Sequence, residues 1–263
     1  MLIRLSFNQF TGSIPQQWWS TNRRLRQLSI AGNNLVGNIP SLTGSLVDLK
    51  ELDLHKNSFT GTLPEEIGNF NSIYNYYVNN NQLKGSLPET MGSWELIAGL
   101  QISNNHFSGT LPLFLAQFAP TFSRFILGSN DFRGTIPEAI FQLTNLKTLD
   151  LSGNDLSGTL SSAIINLSHT LNALFLNDNK KLSGTIPSTM SNLTHIASIY
   201  LQGTDFIGSI PDALCQLRGP NTLQFLEADC SPNASGMARV ECPLGCCTTC
   251  CKADGSNCLP THG

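Results

Sequence analysis

Eight cysteines, all at or after Cys215, are the densest group of reactive side chains in this 263-residue chain, and five of them fall within CPLGCCTTCC (242–251). Three chemistries use thiols at that density. Cys247-x2-Cys250 has the spacing of a zinc half-site, and Cys242, Cys246 and Cys258 offer further ligands toward a four-thiolate set. The same CxxC spacing serves dithiol exchange, but that chemistry wants a βαβ setting, which the flanking sequence lacks. An even count supports covalent bridges among Cys215, Cys230, Cys242, Cys246, Cys247, Cys250, Cys251 and Cys258, with the pairing left open. Disulfides are the expectation and zinc the rival; no cofactor or metal is assigned. The vicinal pairs Cys246-Cys247 and Cys250-Cys251 are expected to bond elsewhere rather than within each pair.

A second group is Glu51, Asp53 and His55, which alternate and so share one face of an extended segment. A metal has ligands there in principle, but a solvated charge cluster is the simpler reading. His106, His169 and His195 fall on turns or on the outer side, without a partnered nucleophile. The chain shows no nucleophile elbow, phosphate-binding loop, HExxH helix or dinucleotide fingerprint, so it reads as a protein that is not an enzyme.

The elements that must carry these residues are repeats. LKELDLHKNSFTGTLP (49–64), IAGLQISNNHFSGTLP (97–112) and LKTLDLSGNDLSGTL (146–160) are one phrase, LxxLxLxxNxLxGxIP. Its Asn recurs at Asn8, Asn33, Asn57, Asn81, Asn105, Asn130, Asn154 and Asn179, and a ninth copy has Thr204 there. The steps are 24 or 25 residues, within the period of a leucine-rich repeat. Five and three residues before each anchor stand two apolar side chains, such as Leu149 and Leu151, which a strand points into the core together. The Asn donates and accepts where the backbone leaves the strand, and can join its neighbours in a ladder. A second apolar residue, a Gly and then Ile/Leu-Pro follow, and Ile140, Leu143 and Leu146 recur at the spacing of a 3-10 turn. One unit cannot bury its own apolar face, so the units stack. The expected fold is an α/β repeat solenoid: a right-handed leucine-rich-repeat superhelix with a concave parallel β-sheet, short second strands near Ser157–Leu160 and equivalents, and 3-10 or irregular turns on the convex side. Three flaws stand out: an extra residue in Asn179-Lys180-Lys181-Leu182, Ser161 in place of Pro, and Trp18-Trp19 where other copies have Leu-Gly. A Trp in a leucine slot reads as packing, with Trp19 the candidate for exposure.

Residues 1–228 are assigned to about nine repeats plus a last strand built on Leu223, Leu226 and Ala228, and 229–263 to a cysteine-rich cap. Caps of this size lean on cross-links because their own core is thin. Only 13% of residues are charged, against roughly 25% in an average globular chain, and the net charge is −3. That balance gives no footing for nucleic acid or an anionic membrane surface. No apolar run is long enough for a transmembrane helix, and the opening residues lack the pattern of a signal peptide.

The phrase NxLxGxIPxxL resembles the plant-type class of leucine-rich repeats, which includes receptor-like ectodomains and polygalacturonase-inhibiting proteins. The ending LEADCSPNASGMARVECPLGCCTTCC resembles the cysteine-rich terminus of diatom-type leucine-rich-repeat proteins. Against the secreted plant pattern, an N-terminal Cys-containing cap is missing and Ile3 and Leu5 already occupy core slots, so the expectation is a fragment whose cap, and a signal or membrane anchor, lies upstream. Asn166-Leu-Ser, Asn192-Leu-Thr and Asn233-Ala-Ser are N-glycosylation sequons, which with the cysteines favours the secretory route.

Strand residues free of core duty lie six, four, two and one before each anchor. They give the candidate ligand-binding set Glu51, Asp53, His55, Tyr77, Gln101, Ile126, Asp150, Phe175 and Tyr200; Arg124, Lys56, Asn80 and Asn104 belong to the same count. The expected function is non-catalytic recognition of a protein, peptide or glycan through the concave face, extracellular or at the cell surface. The alternatives are an adhesive, wall-associated protein and an inhibitor of a secreted wall-degrading enzyme.

Overall fold

Each coil opens with a three-residue strand, because three residues suffice to place one inward side chain between two outward ones. Leu52 is fully buried, and its neighbours Glu51 and Asp53 are half-buried. The computed structural model describes residues 1–118, 120–220, 222–230, 239–252 and 258–260, and by its internal contacts the chain forms two compact units, Met1–Phe132 and Arg133–Gly263. The cysteine-bearing segment after residue 228 belongs to the second unit.

In the first unit the strands Leu2–Arg4, Gln27–Ser29, Glu51–Asp53, Asn75–Tyr77, Gly99–Gln101 and Arg124–Ile126 pair in parallel, each in register with the strand one coil away. A second parallel set runs through Thr11–Ser13, Asn34–Asn38, Ser58–Gly61, Gln82–Gly85 and His106–Thr110. The return path of each coil is a 3-10 segment, such as Glu65–Asn69 or Glu89–Ser93, entered through a proline whose fixed φ ends the strand. The first return path is instead a short α-helix, Gln16–Thr21.

The second unit repeats the plan. Thr148–Asp150, Ala173–Phe175, Ser198–Tyr200 and Phe225–Ala228 form one parallel set. Residues 133–135, Asp155–Thr159, Lys181–Thr185 and Asp205–Ser209 form the other. Where Ser161 replaces the proline, its hydroxyl caps the 3-10 segment Ser162–Leu167 by accepting from the Ala163 amide at 3.2 Å. Both units are thus α/β solenoids of stacked coils.

The asparagines do more than close their own coil. Asn105 Nδ2 donates to the Ile102 carbonyl (3.0 Å) and to the Val78 carbonyl of the preceding coil (3.0 Å), while its Oδ1 accepts from the preceding Leu83 amide (3.0 Å). Asn33, Asn57, Asn81, Asn130 and Asn179 repeat the pattern. Asn154 donates to Leu151, and among the described residues the exposed Asn8 donates to Leu5 and Ser6 of its own coil. Two of the sequence irregularities answer each other. The extra residue after Asn179 lets the Leu182 amide bond the Asn179 carbonyl at 3.0 Å. The next coil therefore has no amide to accept, and a threonine suffices as anchor: Thr204 Oγ1 donates to Leu201 at 2.6 Å.

The residue before each anchor adopts the left-handed region in all nine coils, from Phe7 (φ 56°) through Lys56 and Asn104 to Gly203 (φ 69°). Lys56, Asn80 and Asn104 are therefore turn residues and leave the strand-face count. Trp19 also corrects the reading of its slot: it is buried at 1% exposure, with the half-buried Trp18 edge-on to it at 5.5 Å. Elsewhere in the first unit, aromatic rings fill leucine slots as a run: Phe70, Trp94 and Phe118 stack in sequence, and Phe122 links Phe118 to Phe125.

The cysteines pair as Cys215–Cys246, Cys230–Cys250, Cys242–Cys247 and Cys251–Cys258, leaving no free thiol. Both vicinal pairs bond elsewhere. The sulfurs of Cys230, Cys247 and Cys250 do cluster, but all three are engaged in bridges rather than held as thiolates. Val240–Glu241 extends the second set of strands and Thr249–Cys250 the first; Leu259–Pro260 then pairs with Thr249–Cys250 antiparallel. Asp229, buried at 1%, accepts from the Gly203 and Thr204 amides at 3.0 and 3.2 Å.

Candidate ligand-binding face

Strand alternation gives each unit three outward rows running across its coils. In the first unit the middle row is Arg4, Ser29, Asp53, Tyr77, Gln101 and Ile126. Its polar groups largely satisfy one another. Arg4 holds Gln27 Oε1 (2.6 and 3.0 Å), and Gln27 donates to Glu51 at 2.6 Å. Ser29 donates to Asp53 at 3.1 Å, and Asp53 Oδ1 lies 2.5 Å from His55 Nδ1. Asp53 and His55 are thus brought together, whereas Glu51 turns to Gln27. The exposed Phe7 ring stands edge-on to His55 at 6.0 Å, in space that a side chain on Gly32 would fill.

Tyr77 carries an interaction that spacing alone did not suggest. Arg124, two coils on, donates to the Tyr77 hydroxyl at 2.6 Å and places its guanidinium carbon 5.8 Å from the ring centre. Gly99, on the intervening strand, makes this possible: a Cβ there would lie 3.2 Å from the hydroxyl and 3.4 Å from the guanidinium. The legible signal was a glycine in a strand, an unfavourable place unless something passes close by. Burial pushes the Tyr77 hydroxyl above its ordinary pKa, with Arg124 opposing. Gln101 and Ile126 are half-buried in the same row.

In the second unit the middle row is Asp150, Phe175, Tyr200, Glu227 and Thr249. Phe175 and Tyr200 stack at 5.1 Å between centroids and 24° between planes, and both are half-buried. Asp150 accepts from the amide and hydroxyl of Ser152 (3.0 and 2.6 Å), yet burial still pushes its carboxyl above the ordinary range. Burial does the same to Glu227, against a hydrogen bond from Thr249. The rows on either side hold Thr148, Ala173, Ser198 and an exposed Phe225, and Ser152, Asn177 and Gln202. Glu227 and Phe225, part of this face, lay outside the sequence-based set because their coil lacks the anchor that sets the count.

Asn166 and Asn192 are exposed on the 3-10 segments Ser162–Leu167 and Ser188–Asn192, away from the strand rows. Asn233 lies outside the described residues. Among the described residues no helix is long and apolar enough to cross a membrane.

The class of protein follows from these coils. The family model for the Leucine Rich Repeat matches residues 24–46, 48–70 and 145–167, and the structure carries the same coil throughout both units, so each unit has the leucine-rich-repeat fold. Among solved structures it is similar to the plant peptide hormone receptor RGFR1 in complex with RGF2, at 28% identity and a TM-score of 0.79 over 92% of this chain and 36% of that one. It is similar to a TDR receptor at 30% identity and a TM-score of 0.77, over 84% of this chain and 37% of the other. The ectodomain of the Arabidopsis receptor kinase HAESA, bound to an extended IDA peptide hormone, gives 29% identity and a TM-score of 0.77 over 86% and 39% of the two chains. The chain thus resembles plant receptor ectodomains and spans little more than a third of the length of each. A comparison with curated proteins gives no match.

Proposed function

We propose that this chain is a non-catalytic recognition module of a receptor-like protein and binds a peptide or protein segment across the outward strand rows. The observation that carries the reading is the stacked Phe175–Tyr200 pair, held half-exposed on adjacent hydrogen-bonded strands between two carboxylates. Large aromatic surface on a rigid support loses little entropy on binding, which is why such groups dominate interface energetics. The resemblance to ectodomains solved with peptide hormones favours the same use of the face. Four disulfides suit an oxidising compartment. The two exposed sequons leave the strand rows clear of any attached sugar, so an extracellular or cell-surface setting is part of the proposal.

The test is selection from a random peptide library displayed on phage, using the whole chain as bait. Selected peptides are expected to lose binding to a Phe175→Ala/Tyr200→Ala variant. They should keep it with Thr159→Ala/Thr185→Ala, which alters the second set of strands. Peptides indifferent to the first variant refute the face.

A further inference from the structure

The two units treat the same row differently. In the first, the aromatic residue of the row, Tyr77, receives a guanidinium from its own chain, and the acids Glu51 and Asp53 are met by Gln27, Ser29 and His55. In the second, the three outward rows contain no Arg, Lys or His; Lys147, one residue before its strand, is the nearest cation in sequence. The row there runs carboxylate, ring, ring, carboxylate: Asp150, Phe175, Tyr200, Glu227.

A centroid separation of 5.1 Å is too short for rings lying side by side on the sheet, so the two rings overlap face to face. One strand away on either side of the pair stand the carboxylates, Asp150 beside Phe175 and Glu227 beside Tyr200. Each end of the aromatic pair therefore has a carboxylate as its next neighbour in the row. A π face attracts a cation, and a carboxylate pairs with it.

Resting on the recognition reading above, we propose that the second unit takes a basic side chain of its peptide partner, an arginine or lysine, against the aromatic pair and its flanking carboxylates, Phe175 with Asp150 or Tyr200 with Glu227. The contact between Arg124 and Tyr77 is the intramolecular counterpart. Burial holds both carboxyls above their ordinary pKa, and an arriving cation relieves that penalty, so occupancy favours the ionised form.

The peptides selected above supply the experiment. They are expected to be enriched in arginine and lysine, to bind more weakly as salt rises, and to lose about tenfold in affinity when the basic residue is replaced by citrulline or norleucine. Asp150→Asn and Glu227→Gln should each weaken them several-fold, and Phe175→Leu/Tyr200→Leu, which keeps apolar volume but removes the π faces, should do the same. Circular dichroism verifies that each variant is folded, and Glu227→Gln, isosteric and at the surface, is the variant least disturbing to the coil. Peptides that depend on Phe175 and Tyr200 yet ignore citrulline or norleucine overturn the cation assignment and leave the recognition face standing. Peptides that ignore the rings sink both. Retention of a neutral polysaccharide through the two rings, with no peptide bound, also overturns the assignment.

Discussion

Replacing Asn105 by Ala removes a side chain that serves three buried backbone groups at once. The Leu83 amide loses its acceptor, and the Val78 and Ile102 carbonyls each lose a donor, all from contacts of 3.0 Å. Asn105 is buried at 6% exposure, so water does not readily take its place. The Leu83 amide is left unsatisfied, at about 1–3 kcal/mol, while the Val78 and Ile102 carbonyls keep Asn81 and Asn130 as donors and forfeit about 0.5–1.5 kcal/mol each, so the expected loss is about 2–6 kcal/mol. Asn8 is the internal control. It donates to two carbonyls of its own coil and is exposed, so Asn8→Ala should cost less than about 1 kcal/mol. Urea unfolding followed by circular dichroism reads both variants, with an unchanged denaturant slope as the check that the denatured state is the same. A loss at Asn105 below about 1 kcal/mol, or equal losses at the two positions, would refute the ladder as the feature that closes the coils.

Tyr76 is fully buried in an inward slot, its hydroxyl has no partner among the described residues, and burial raises its pKa far above the ordinary value; Tyr76→Phe should stabilise the chain by up to about 1 kcal/mol in the same urea assay. A Cβ on Gly68 would lie 2.5 Å from Thr90 Cβ and 2.7 Å from its carbonyl oxygen, so Gly68→Ala should lower the melting temperature, with a cost of about 1–3 kcal/mol from overpacking between neighbouring 3-10 segments. Glu227 binds its proton more tightly folded than unfolded, so its contribution to stability falls as pH rises through its ordinary 4.5 toward the raised folded value and is level beyond it. Glu227→Gln should therefore be more stable than the parent at pH 7 and lose that advantage by pH 4, as thermal melts at both values would reveal.

The repeat was legible because each of its positions answers a local demand. Leu149 and Leu151 alternate into a core, Asn154 meets orphaned backbone groups, and Pro137 ends a strand; each demand leaves a residue type at a fixed place. What was not legible came from contacts that cross coils. The pairing of Arg124 with Tyr77 joins residues 47 apart and depends on a side chain that Gly99 does not have. The position before the anchor carries Phe, Lys, Asn, Ser and Asp as well as Gly, so composition hid a left-handed turn that geometry imposes in every coil. The burial of Trp19 reflects how the first return path becomes an α-helix. The disulfide partners were set by the parallel pairing of Thr249–Cys250 beside Phe225–Ala228, which local spacing does not encode. At the binding face, the alternation named Phe175 and Tyr200 but could not say that they stack.

The reversal at Leu259–Pro260 has a consequence for growth. Every other pairing in its sheet runs in one direction, and a parallel array presents at its rim the template for another identical coil. A strand laid in the opposite sense offers the wrong spacing of donors and acceptors to such a newcomer, and proline at its end withholds an amide altogether. Tied back through Cys251–Cys258, it makes that edge a poor template, and neighbouring molecules lose the simplest route to end-to-end pairing.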